Sequence, residues 1–205
     1  DDLEAIAAVV RDTDIIVLSD EIYAELTYGQ KHVSIASIEG MRERTMLVSG
    51  FSKAFAMTGW RLGYVCGDSI IIKAVTKIHQ YGIMCAPTTS QYAAIDAMKN
   101  SDNDVAYMVS EYDMRRRMLV EELNRMGLHC FEPKGAFYAF PSIQATGMTS
   151  EQFCEELLKD QKVAVVPGNA FGESGEGFVR ISYAYSVDAI QKALEKMEKF
   201  VRKHI

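Results

Sequence analysis

Thr45-Met46-Leu47-Val48-Ser49-Gly50-Phe51-Ser52-Lys53-Ala54-Phe55-Ala56-Met57-Thr58-Gly59-Trp60-Arg61-Leu62-Gly63-Tyr64-Val65-Cys66 runs from one apolar segment into another through a loop of small and polar residues with a single lysine and, eight positions on, an arginine. Short apolar runs bounded by turn residues read as strands of the parallel-sheet kind. Asp14-Ile15-Ile16-Val17-Leu18-Ser19-Asp20 has the same texture and comes after a helical pattern already under way at Leu3. Gly67-Asp68 ends the third run, after which residues 69–81 and 88–99 read as helices, the second opening at Pro87-Thr88-Thr89-Ser90. Strands alternating with helices predict an α/β layered sheet. A lysine in this loop stands at the carboxyl edge of a strand, where open α/β sheets bind their ligands.

From Asp102 to Met126 the pattern is one long helix stopped by Gly127. The texture then changes. Strand-like His129–Glu132 and Ala136–Phe140 flank a Pro133-Lys134-Gly135 turn. A helix over Ser150–Lys159 is capped by Thr149 or Ser150, with Glu151 in its first turn. Short strands at Val163–Val166 and Phe178–Ser182 lead to a last helix from about Val187. The expected division is therefore residues 1–101, a linking helix over 102–127, and a small α+β domain over 128–205.

The 205 residues are 48% hydrophobic, enough for a core of ordinary size. A net charge of -6 and a pI near 5.3 argue against nucleic acid, whose binding needs a basic face. No apolar stretch approaches a membrane span, and no signal peptide is visible at the N-terminus. Cys66, Cys85, Cys130 and Cys154 fit neither a metal spacing nor a dense disulfide framework, so buried reduced thiols and a cytoplasmic setting are expected. His32, His79, His129 and His204 form no metal spacing.

A desolvated lysine beside another cation loses its proton easily and becomes a nucleophile. Arg61 could be that cation and could also grip a phosphate with its planar fork, with Ser52 and, more weakly, Ser49 adding neutral donors. Spacing alone equally fits a solvated loop lysine and a surface ion pair. Likewise, Asp20 after a strand is a good cap for the next helix. In Gly177-Phe178-Val179-Arg180-Ile181-Ser182 an arginine inside a β-rich segment fits a carboxylate held by two parallel bonds, or the outer face of an edge strand.

The lysine loop closely resembles the S-x-S-K-x-x-x-x-x-G-x-R motif of class I aminotransferases of fold type I, the branch acting on aspartate and aromatic amino acids. The resemblance implies the C-terminal part of a mainly parallel α/β/α large domain followed by a small α+β domain. It implies pyridoxal 5'-phosphate (PLP) as cofactor, with Lys53 as the Schiff-base lysine that later shuttles the Cα proton, and Arg61 on the phosphate. Gly50 stands where many members have a phosphate-binding serine, which shifts that contact to Ser52 or elsewhere. Asp20 and Tyr23 match the family's D-x-x-Y, 33 residues before Lys53. There a buried carboxylate keeps the pyridine nitrogen protonated and the tyrosine, one helical turn on, donates to the ring's 3-oxygen. Arg180 matches the arginine that holds the substrate α-carboxylate. Pro167-Gly168-Asn169-Ala170-Phe171-Gly172 and Gly135-Ala136-Phe137-Tyr138 match two further family motifs, read as structural, with Phe137 as a candidate pocket wall.

The implied activity is ping-pong transfer of an amino group between an amino acid and a 2-oxo acid in a homodimer whose subunits complete each other's sites. The family's upstream glycine-rich turn, ring-stacking aromatic and N-P-x-N-P-T-G segment do not appear. The expectation is therefore a C-terminal half that is inactive alone. Two alternatives stay open: a PLP-dependent C–S lyase or aminocyclopropane-carboxylate-synthase-like enzyme, and a PLP-sensing domain of a transcription regulator. The substrate amino acid is not legible.

Overall fold

The chain opens with α1 (Asp2–Val10), whose fully buried Ala7 packs with Ile35 and Met41. The helix ends without a glycine, so its last carbonyls need donors from elsewhere. Arg44 supplies them: Nη1 donates to Val10 O (2.8 Å) and Thr13 O (2.6 Å), and Nη2 to Arg11 O (3.0 Å). One cation thus closes the C-terminal end of a helix dipole. β1 (Val17–Asp20) comes next, then β2 (Thr45–Gly50) and β3 (Gly63–Cys66). The computed structural model describes residues 1–205, which form two compact units, Asp1–Tyr107 and Met108–Ile205.

In the first unit the strand order is β1-β2-β3. β1 and β2 are parallel, pairing Val17 with Thr45 through Asp20 with Val48. β3 departs from the parallel expectation and runs antiparallel to β2, from Leu47 opposite Cys66 to Gly50 opposite Gly63. The physical reason is the lysine loop, which holds no crossover helix and so turns the chain straight back. β1 is an edge strand of alternating burial rather than a strand covered on both faces, and Leu18 is 73% exposed. α2 (Ser69–Ile83), capped by Asp68 on Ile70 N, has no buried residue. α3 (Thr88–Asn100) sets Ala94 and Ala97 against Phe51 and Met57 of the lysine loop. α4 (Asp102–Arg125) begins in this unit and continues into the second.

The second unit holds the larger core, built on Leu119, Leu123, Phe153, Leu157, Val179 and Phe200, each at most 2% exposed. β4 (Tyr138–Ala139), α5 (Ser150–Gln161), β5 (Val166–Pro167), β6 (Val179–Ser182) and α6 (Val187–Val201) complete it, with antiparallel order β4-β6-β5. Thr149, not Ser150, caps α5: its hydroxyl accepts from Gln152 N while the Gln152 side chain accepts from Thr149 N. The expected strand at His129–Glu132 does not form. There Asn124 takes both backbone groups of Cys130, accepting from its N–H and donating to its carbonyl, each at 3.0 Å. A side-chain amide thus replaces a neighbouring strand. Buried Arg116 ties the same segment to α4, pairing with Asp113 (2.6 Å) and Glu132 (2.8 Å) and donating to Pro133 O. The thiols also differ from expectation: Cys130 is buried and Cys154 half-buried, the latter pushed up by burial to about 11, but Cys66 and Cys85 are exposed. No helix is long and apolar enough to cross a membrane.

Candidate functional site

The lysine loop is a braced turn. Phe51 N donates to Leu62 O, Met57 N to Phe51 O and Ala56 N to Lys53 O. Ser90 of α3, 3% exposed, donates to Trp60 O at 2.6 Å and pins the end of the loop. Ala56 (φ 52°) and Arg61 (φ 53°) are left-handed without being glycine. Each such residue costs on the order of 1–2 kcal/mol and persists only where its surroundings over-determine it. Lys53, half-buried in this loop, places its ammonium 5.8 Å from the centroid of the Tyr23 ring. Ser52 is half-buried and its hydroxyl makes no hydrogen bond within the chain, whereas Ser49 is occupied, donating to Glu21 O at 3.2 Å. Arg61 is exposed, and its Nη1 folds back onto Thr58 O at 2.8 Å.

Gly50 has a steric reason. A Cβ there would lie 2.9 Å from Leu62 O and 3.0 Å from Gly63 Cα, both backbone atoms of the opposing strand end. The close approach that lets β2 and β3 emerge from one loop leaves no room for a serine.

Asp20 stands at the end of β1, exposed rather than buried as expected, because β1 is the edge of its sheet. Its Oδ1 accepts from Ile22 N at 3.1 Å, while Oδ2 takes no partner in the chain. Capping occupies one oxygen only. The residues after it form a turn, not a helix: Ala24 N donates to Glu21 O and Leu26 N to Tyr23 O. That turn brings Tyr23 to Lys53.

Between Asp20 and Tyr23 lies a group that sequence reading missed. Glu21 is 7% exposed. Its Oε1 accepts from Ser34 Oγ (2.6 Å) and Ser19 Oγ (3.1 Å), and its Oε2 lies 2.9 Å from His32 Nε2. Burial alone would push this carboxyl up, but hydrogen bonds from Ser34, His32 and Ser19, with the field of His32, outweigh it and hold it below its ordinary 4.5. The partners lie 11 and 13 residues on, in a loop with no periodic signature.

Arg180 lies in the second unit, on β6. Its guanidinium carbon sits 4.5 Å from the Tyr138 ring centroid and 4.4 Å from that of Phe171, so the cation lies over two aromatic rings. Register explains one ring: Tyr138 is opposite Ser182, diagonal to Arg180 on the same side of the sheet. The other comes from the turn Gly168–Phe171, where Gly168 and Gly175 meet so closely that a Cβ on either would fall on the other's carbonyl. No hydrogen bond or ion pair within the chain engages this guanidinium, so its edge donors are available to a carboxylate. Phe137, the expected pocket wall, packs against the core beside Tyr112, at 5.5 Å between ring centroids.

The chain as a whole is similar to other proteins along nearly all of its length. YugH of Bacillus subtilis is 55% identical over 203 residues, 99% of this chain and 53% of that protein. An aspartate aminotransferase of Pyrococcus abyssi is 51% identical over 204 residues, 98% of this chain and 52% of its own length. The crystal structure of an aromatic aminotransferase from Pyrococcus horikoshii superposes with a TM-score of 0.96 at 51% identity, covering 98% of this chain and 55% of that one. The chain thus spans about half the length of the relatives it matches. The family described as aminotransferase class I and II matches residues 1–197, and the chain belongs to that family.

Proposed function

We propose that the protein transfers an amino group between an amino acid and a 2-oxo acid with PLP as cofactor, the cofactor on which its class I relatives depend. The observation that carries this reading is the Lys53 ammonium over the ring of Tyr23, on the turn that begins at Asp20. The donor set suits the cofactor group by group. Lys53 offers an amine to an aldehyde, and the unpartnered Asp20 Oδ2 an acceptor to a pyridinium N–H. Tyr23 offers a phenol to the 3-oxygen, and Ser52 and Arg61 donors to a phosphate.

When bound, PLP supplies an aldehyde that takes up amino groups and a ring that withdraws electrons. Asp20 Oδ2 would hold the proton on the pyridine nitrogen. Arg180 would hold the substrate α-carboxylate with its edge donors. Lys53 Nζ would carry the proton from the substrate Cα to the cofactor's aldehyde carbon, a positioned proton transfer worth roughly 10²–10⁴-fold in rate. The same reading includes a homodimer, a cytoplasmic setting, and residues 1–101 as part of the cofactor-binding domain, with 102–127 linking to a small domain over 128–205.

Borohydride reduction of the full-length protein with PLP, and then peptide mapping, is expected to mark Lys53; a mark on another lysine refutes the assignment. Amino-group transfer to 2-oxoglutarate is the expected activity. Release of pyruvate and ammonia instead would turn the reading into a lyase.

A further inference from the structure

Glu21 is a buried charge that none of these roles uses. Every polar atom it has is engaged. Its N–H donates to Val48 O at 2.8 Å, and its carbonyl accepts from Ala24 N at 3.0 Å and Ser49 Oγ at 3.2 Å. Its carboxylate gathers Ser19, Ser34 and His32. Ser34 also caps the 3-10 turn Ile35–Ser37 through Ala36 N, and Ile35 is buried with Ala7 and Met41. The residue after Asp20 is therefore tied on one side to the end of β2 and on the other to a packed foundation. Asp20 has no such anchor of its own: its side chain is exposed and holds only Ile22 N.

We propose that Glu21, clamped by His32 and Ser34, is the positioning residue that fixes the Asp20–Tyr23 turn, and so sets where Asp20 Oδ2 and the Tyr23 hydroxyl meet a bound pyridine ring. This rests on the roles proposed above for Asp20 and Tyr23. A carboxylate suits the task because all its side-chain neighbours present N–H or O–H groups; glutamine keeps the shape and one acceptor, and alanine leaves the donors facing a void.

The test uses the full-length protein and PLP labelled with 15N at the ring nitrogen. Two quantities are read for wild type, Glu21→Ala, Glu21→Gln and His32→Ala: the Kd for PLP, and the pH at which the bound ring nitrogen loses its proton. Glu21→Ala and His32→Ala are expected to raise Kd roughly tenfold, the scale found for groups that orient ligands from behind, and to shift loss of the ring proton to lower pH. Glu21→Gln is expected to recover most of both. His32, with a side chain 34% exposed, gives a folded variant even if Glu21→Ala fails to fold. A lowered melting temperature with unchanged Kd and unchanged ring titration would overturn the clamp while leaving the roles of Asp20 and Tyr23 standing. A wild-type protein that binds PLP without a protonated ring nitrogen would defeat those roles themselves, and the clamp with them.

Discussion

Arg180→Lys separates a point charge from a planar fork. Lysine keeps the cation but loses the two-bond grip and stacks poorly on Tyr138 and Phe171. Loss of about 1.5–3 kcal/mol for a charged hydrogen bond predicts a KM for the amino acid and the oxo acid raised roughly 10–100-fold, with PLP affinity unchanged. Steady-state kinetics with both substrates check it. Glu21 gives a pH signature of its own. Its carboxyl is held below 4.5 in the folded chain, so its stabilisation is complete above that pH and is lost as pH falls through the lowered value. The melting-temperature gap between wild type and Glu21→Gln should close in acid; a gap that widens below pH 4.5 would contradict the network. Lys53, Arg61 and Arg180 could be proposed from the sequence because each sits in a fixed string of neighbours. Glu21 was not, since its partners at 32 and 34 obey no spacing, and the aromatic partners of Arg180 emerge only once register places Tyr138 beside it.

The lysine loop and its two strands act as one element. Introducing a serine at this position, Gly50→Ser, drives a Cβ into Leu62 O and Gly63 Cα, neither of which can rotate away. The strands must part, at a cost of about 1–3 kcal/mol. Urea unfolding is expected to show that loss, and PLP titration no gain in affinity. Elements with a strong period were legible to within a few residues: α4 ends at Arg125, just before Gly127, and α6 starts at Val187. Short strands were not. β5 forms at Val166–Pro167, at the end of the run expected to be a strand, and residues 129–132 meet the Asn124 amide in place of a strand partner. Apolar runs specify burial, and pairing depends on which backbone arrives alongside.

Across the whole chain, stability is unevenly distributed. Residues 108–205 surround a continuous core, whereas buried apolar groups in residues 1–107 fall mainly into two small clusters and α2 buries nothing. In the 205-residue chain, hydrogen exchange should therefore be slowest in α5 and α6 and fast along α2, whose opening exposes little new surface; equal protection in α2 and α6 would contradict this. The α/β class and the small α+β region were legible from texture alone, but the reversal of β3 was not, because an apolar run carries no sign of its direction. A guanidinium held over two aromatic rings is steadied in place, so under the proposed reaction both reactants present their shared acid end to the same donors. Telling one amino acid from another is then left to whatever meets the opposite end of the molecule.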